Sequence, residues 1–254
     1  MVYISPTINI LSLSIRKIGR RLLRDFNEIE NLQNSVKGTY TFLVKTKFKL
    51  KKVIQFELNK IKGNLDVFFL DEKPNIINED AWIVDAINGS ENFQKGIPHF
   101  CISISLMEKK EIKISVIYDP IKDELYYAQK EKGAYLNDFR LKLLENSSCN
   151  LSTLSLSDIS LIEKHKNLKL ITNEFEQIRM FGSALLDFCY LANGKIDAAI
   201  LTNNQKNIEK IGKIISQEAN ATILEYINGT EVFIICNKNI EKRIRNILTE
   251  KVEI

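Results

Sequence analysis

The sequence predicts an α/β protein, α+β in its first half and α/β in its second. Three observations carry this: an apolar period near 3.6 residues at the N-terminus, a central series of short β-branched and aromatic runs, and an alternation of helical and strand patterns after residue 146. With 254 residues, 44% of them hydrophobic and 27% charged, the chain can bury a substantial core and is not disordered. That length allows two packed halves. The polar Glu145 to Asn150 segment, which lacks a hydrophobic period, sets the expected boundary between an α+β domain (1–145) and an α/β domain (146–254).

In chain order, residues 7 to 31 place Ile8, Ile10, Leu11, Leu13, Ile15, Ile18, Leu22, Leu23 and Phe26 at nearly 3.6-residue spacing, which predicts a long amphipathic helix. Val53, Ile54, Phe56, Leu58 and Ile61 predict a second helix from about Phe48 to Ile61, stopped by Gly63-Asn64. The period then shortens. VFFL (67–70), WIVDAI (82–87), FCISISLME (100–108), IKISVIYD (112–119) and ELYYAQK (124–130) read as strands of a mostly antiparallel sheet, followed by a turn from Gly133 to Asp138. After a Ser-rich stretch come KLIT (169–172), a helix from Ser183 to Asn193, the strand IDAAIL (196–201) and a helix near Ile208 to Glu218. TILEYI (222–227), VFIIC (232–236) and a helix from Ile240 complete the series.

No run approaches the roughly 18 consecutive apolar residues of a membrane span, so no membrane role and a cytoplasmic location are expected. Cys101, Cys149, Cys189 and Cys236 form no C-x-x-C pair, which argues against zinc and against a disulfide framework. The net charge of +4 does not by itself imply a nucleic-acid partner. Two local clusters, Arg16-Lys17-Arg20-Arg21-Arg24 and Lys45-Lys47-Lys49-Lys51-Lys52, read most simply as solvated helix faces. Trp82 and Cys189 are expected in the core, His99 in packing and His165 at the surface.

Chemistry concentrates in AWIVDAINGSENFQKGIPHF (81–100). Here a strand ends near Asp85 and turns through Asn88, Gly89 and Ser90 into a helix start. A carboxylate at a strand's C-terminal end faces a crevice, and Gly89 permits close backbone approach to a ligand such as phosphate. On spacing alone, a capped turn with no ligand explains the same residues, and Ser183 after Gly182 is equally an ordinary N-cap.

The wider chain resembles the inositol monophosphatase family, including its bacterial branch linked to ribosomal-RNA transcription. The family pattern W-I/V-I/V-D-P-I/L-D-G-T-x-N-F is similar to WIVDAINGSENF (82–93), followed by the G-x-P-x-F of Gly96 to Phe100. VIYDPIKDELYYAQKEKGAYLND (116–138), RMFGSALLDFCYLANGKIDAAI (179–200) and Gln217-Glu218-Ala219 resemble further family segments. The resemblance implies a layered αβαβα sandwich, usually a homodimer, and Mg²⁺-dependent hydrolysis of a phosphate monoester.

Position by position, the resemblance implies an eroded site. Asp71, Asp85, the Ile87 carbonyl and Asn88 hold the metal-ligand places, with Asn88 replacing a carboxylate. Asp85 and Ser90 hold catalytic places, Ser90 replacing the Thr that orients water. Asn88, Gly89, Ser90, Gly182 and Ser183 hold the phosphate- and substrate-facing places. Lys47 stands where the family has the acidic partner of that Thr, Ile208 (in Asn207-Ile208) where it has a metal carboxylate, and Leu201 where it has a substrate-binding Glu. Two carboxylates and one ammonium cannot neutralise a cluster of dications that the family holds with five carboxylates. The resemblance therefore leads to the expectation of weak or absent Mg²⁺ binding and impaired catalysis, in a scaffold or binding protein with a possible partner in the transcription machinery. The alternatives are a working Mg²⁺-dependent phosphomonoesterase acting on inositol monophosphate or a similar sugar phosphate, and a metal-free sensor of phosphate or nucleotide.

Overall fold

A computed structural model describes residues 5–29, 36–72, 79–143, 152–202, 206–227 and 231–249. The N-terminal helices are α1 (Pro6–Ile29) and α2 (Val36–Lys62). The first sheet follows the order of the chain: β1 (Asp66–Phe69), β2 (Ala81–Asn88), β3 (Cys101–Glu108), β4 (Glu111–Asp119), β5 (Glu124–Gln129), β6 (Gly133–Leu136) and β7 (Phe139–Leu141). β1 and β2 pair parallel and the rest antiparallel, and the short helix α3 (Ser90–Gln94) follows β2.

The second half supplies β8 (Thr153–Leu156), α4 (Ser160–Lys164), α5 (Lys166–Thr172), β9 (Gln177–Arg179), α6 (Ala184–Ala192), β10 (Ala198–Thr202) and α7 (Lys206–Glu218). β11 (Thr222–Ile227), β12 (Glu231–Cys236) and α8 (Lys238–Thr249) follow. Its sheet runs β11-β12-β10-β8-β9, with β10, β8 and β9 parallel and β12 antiparallel to both neighbours.

Alternation along each strand builds the layers, because successive side chains point to opposite faces. Trp82, Val84 and Ala86 of β2 pack under α1 and α2 with Leu11, Ile15, Leu22, Ile54 and Leu58. Ala81 and Ile83 face the other way, against Leu185, Leu186 and Cys189 of α6 and Ile211 and Ile215 of α7. The opposite side of α6, with Phe188 and Leu191, covers the second sheet, whose outer face closes on α5 and α8. The result is the helix–sheet–helix–sheet–helix sandwich that the resemblance implies.

Several expectations shift. α2 begins twelve residues before Phe48, and the turn expected from Gly133 is a strand as far as Leu136, with the reversal at Asn137 in the left-handed region. KLIT lies in α5, and His165 is buried at 6% exposure rather than at the surface, because it sits in the α4–α5 junction beneath the second sheet's helical layer. Trp82 is fully buried, and Cys101, Cys189 and Cys236 are free, buried thiols. Cys149, the end of the first predicted helix beyond Ile29 and the Glu145 to Asn150 boundary lie outside the described residues. Among the described residues, no helix is long and apolar enough to cross a membrane.

Candidate functional site

The site forms where β2 ends. Its pairing with β3 shifts register between Asp85 and Asn88, which breaks the regular ladder there, and Asn88 reaches α6. Gly89 follows at φ 82°, and a Cβ there would lie 2.9 Å from the His99 carbonyl oxygen. Only glycine fits that approach. Gly182, at φ 77°, is pressed as closely against the Asn92 amide. Asn92 explains why: its Nδ2 donates to the carbonyls of His99 (2.8 Å) and Phe181 (2.7 Å), tying together the two loops that flank the crevice.

Asn88 is the hub. Its Oδ1 accepts the backbone N–H of Leu185 at 3.1 Å and the Ser183 hydroxyl at 2.8 Å, while its Nδ2 donates to Asp85 Oδ2 at 3.0 Å. The orientation of the amide is fixed chemically. A backbone N–H can only donate, so the atom facing Leu185 must be the oxygen, and the amine then faces Asp85. Asn88 thus caps α6 from another element, whereas Ser183, at the N-cap position, makes no capping bond of its own. Asp85 Oδ1 accepts the N–H of Ile87 at 3.2 Å. Burial pushes the Asp85 carboxyl up, with the Asn88 hydrogen bond and the Lys47 charge opposing that and Asp71 adding to it.

Asp71 and Glu72 lie in a single helical turn after β1, where α2 meets them with two lysines four residues apart on one face. Lys51 Nζ sits 2.7 Å from Asp71 and 2.7 Å from Glu72, and Lys47 Nζ sits 3.9 Å from Asp71. Burial pulls the Lys51 ammonium down, yet hydrogen bonds to Asp71 and Glu72 outweigh it and hold its pKa above the ordinary value. Lys47 therefore does face the carboxylates, and Lys51 is the tighter partner. Reading the lysine run as a solvated face misses Lys51, although its i, i+4 relation to Lys47 was visible in the sequence.

A crevice of about 480 Å³ adjoins this hub and takes in Asn88, Gly89, Ser90, Gly182 and Ser183. Leu201 and Ile208 also line it, both buried and each part of an apolar cluster. Asp187 on α6 is another lining residue that the sequence did not single out. It is 1% exposed, and burial pushes its carboxyl up to about 8 against a smaller opposing effect of Ser155. The His99 ring packs on Phe181 and Tyr190, and burial, then Lys122, push it down to about 4, leaving it neutral at physiological pH. Among the described residues, no three His, Cys, Asp or Glu side chains converge as a metal site would require.

Other motif residues have structural roles. The Glu218 carboxylate accepts the N–H groups of Glu131 and Gly133, and Asp197 accepts the N–H of Thr153 and the Asn237 amide.

Comparison with known proteins places these features in context. The profile of the inositol monophosphatase family matches residues 5–231. The chain is 31% identical to an inositol-1-monophosphatase of Rhizobium meliloti over 261 residues, covering 98% of each. It is 30% identical to a Nus factor SuhB of Buchnera aphidicola, covering 97% of this chain and 96% of that one. The crystal structure of the extragenic suppressor protein SuhB from Bartonella henselae superposes with a TM-score of 0.81 at 26% identity, over 98% of this chain and all of that one.

Proposed function

The chain belongs to the inositol monophosphatase family, and from that membership we propose that it is a catalytically impaired or inactive member that serves as a scaffold or binding protein. Magnesium takes about six oxygen ligands near 2.0–2.1 Å and needs compensating anions. The donor set fits that requirement poorly. Asp71 is already paired with Lys51 and Lys47, both oxygens of Asp85 accept protein N–H groups, and the positions of Ile208 and Lys47 supply no anion. The observation that carries the reading is the Asn88 amide, which aims a donor at Asp85 where a shared dication would need an acceptor. Fixed lysines and an amide thus do the neutralising that metal ions do in a phosphomonoesterase. Ser90 keeps a hydroxyl at the crevice but has Lys47 in place of the acid that would draw its proton.

A homodimer, implied by the resemblance, and a transcription-linked partner belong to the same reading; the second is supported by relatives named Nus factor SuhB. The rival is a phosphomonoesterase holding one Mg²⁺ through Asp71, Asp85, Asn88 and the Ile87 carbonyl, which the full-length likeness to a protein named inositol-1-monophosphatase favours. The deciding assay is phosphate release from inositol monophosphate by purified protein in millimolar Mg²⁺. No turnover above an Asp85→Asn variant supports the proposal, and turnover abolished by that variant establishes the rival.

A further inference from the structure

Charge is segregated in this molecule. α1 and α2 carry thirteen Lys and Arg against three Asp and Glu, a net +10, which leaves −6 for the remainder of a chain whose total is +4. These helices form one outer layer and run antiparallel: Lys17 bonds Glu57 at 2.9 Å and Thr46 bonds Asp25 at 3.1 Å. That register sets Arg20, Arg21 and Arg24, all exposed, level with the Phe48 to Lys52 stretch of α2. Glu57, the one acid on α2, is buried between Lys17 and Lys60, whose hydrogen bonds hold it below the usual carboxylate range.

The outward face of α2 has a repeating composition. Tyr40, Val44, Phe48 and Phe56 recur at multiples of four residues and are 59%, 49%, 59% and 62% exposed; each such step turns the row by about 40°, so Tyr40 lies far round the helix from Phe56, and Phe48 and Phe56 are the rings that flank the lysines. Lys45, Lys49 and Lys52 stand beside them, also exposed, with Lys52 4.3 Å from the Phe48 ring centroid. Arg20, Arg21, Arg24, Lys45 and Lys49 form no ion pair among the described residues. At 1.5 Å per residue, the face from Lys45 to Lys60 is about 23 Å long.

We propose that this face binds a single-stranded polynucleotide, with bases stacking on Phe48 and Phe56 and phosphates meeting Lys45, Lys49, Lys52, Arg20, Arg21 and Arg24. Exposed aromatics interleaved with cations suit a strand that alternates π-faces and phosphates. A second copy and a lipid surface fit the face less well. A second copy would set one strongly basic layer against another, and a lipid surface calls for a continuous apolar band, whereas each turn here interrupts the band with lysine or another polar residue. The inference is independent of the state of the Asp85 crevice.

Fluorescence anisotropy of the full chain with single-stranded RNA and DNA of about 20 nucleotides, a duplex of equal length, and phosphatidylserine vesicles tests it. Single strands bind more tightly than the duplex, with affinity falling steeply with salt. The Lys45→Ala/Lys49→Ala variant lowers the log–log salt slope by about 1.4, at roughly 0.7 per phosphate contact. Phe48→Ala weakens binding about fivefold or more while Phe48→Tyr retains it. Lys210→Ala/Lys242→Ala, which removes two exposed lysines from α7 and α8, changes neither slope nor affinity. No binding at low salt, a duplex bound as tightly as the single strand, equal loss in the α7/α8 control, or binding to vesicles alone overturns the proposal. Whether RNA or DNA binds more tightly names the strand that the face accepts.

Discussion

Replacing Asn88 with aspartate converts the hub's neutral amide into a second carboxylate without disturbing its other duties. The oxygen facing α6 still accepts from Leu185 and Ser183, so the cap survives. Toward Asp85, an amine 3.0 Å from a carboxylate oxygen becomes a carboxylate oxygen at the same place. Two unit charges about 3 Å apart at an effective dielectric near 20 repel by about 5 kcal/mol, and the favourable hydrogen bond is lost as well. Solvent and the Lys47 ammonium offset part of this, leaving an expected destabilisation of roughly 2–4 kcal/mol at pH 7 in chelator. A shared proton or a dication relieves such a pair. The variant's folded-state carboxyl pKa is therefore raised above its unfolded value, so its deficit shrinks toward pH 5 and grows as pH rises. Urea unfolding followed by circular dichroism at both pH values, with and without Mg²⁺, measures this. Millimolar Mg²⁺ raises the midpoint of the variant but not that of the parent. A variant as stable as the parent in chelator at pH 7 would refute the assigned amide geometry.

Three further outcomes follow from the same geometry. Gly89→Ala forces a Cβ to within 2.9 Å of the His99 carbonyl at a positive φ, and lowers stability by about 1–3 kcal/mol in urea melts. Asp187, with its folded-state carboxyl raised to about 8, weakens the fold as pH rises from about 4 to 8, by at most about 1.4 kcal/mol per unit, and Asp187→Asn flattens that decline in thermal melts across the range. The triple variant Lys47→Asp, Asn88→Asp, Ile208→Asp restores three anions but places one in the apolar cluster around Ile211 and Ile215, so it melts below the parent in chelator and recovers with Mg²⁺.

The contiguous part of the site was the most legible. Asp85, Asn88, Gly89 and Ser90 fall within six residues at a strand end, and the resemblance supplied Lys47, Leu201 and Ile208. The capping of α6 by Asn88 was hidden because its partner Leu185 is 97 residues away. Lys51 was legible only through its i, i+4 spacing from Lys47, because a lysine run has no apolar pattern to show which member turns inward. The first twelve residues of α2 escaped for a related reason: their buried positions include Thr39 and Thr46, 5% and 1% exposed, which break the apolar period although they continue the face of Leu43, Leu50 and Ile54. The sheet order was more accessible, since each strand of the first sheet pairs with its neighbour in sequence. β9 has only exposed residues, and nothing in its pattern marks it as a strand.

On the proposed reading, protein charges have taken over the task of the dications. Calorimetric titration of the purified protein with Mg²⁺, alone and with inorganic phosphate, tests it most directly. No saturable heat is expected at millimolar metal in either case. Saturable uptake of two ions per chain, tightened by phosphate and abolished by Asp85→Asn, would contradict it.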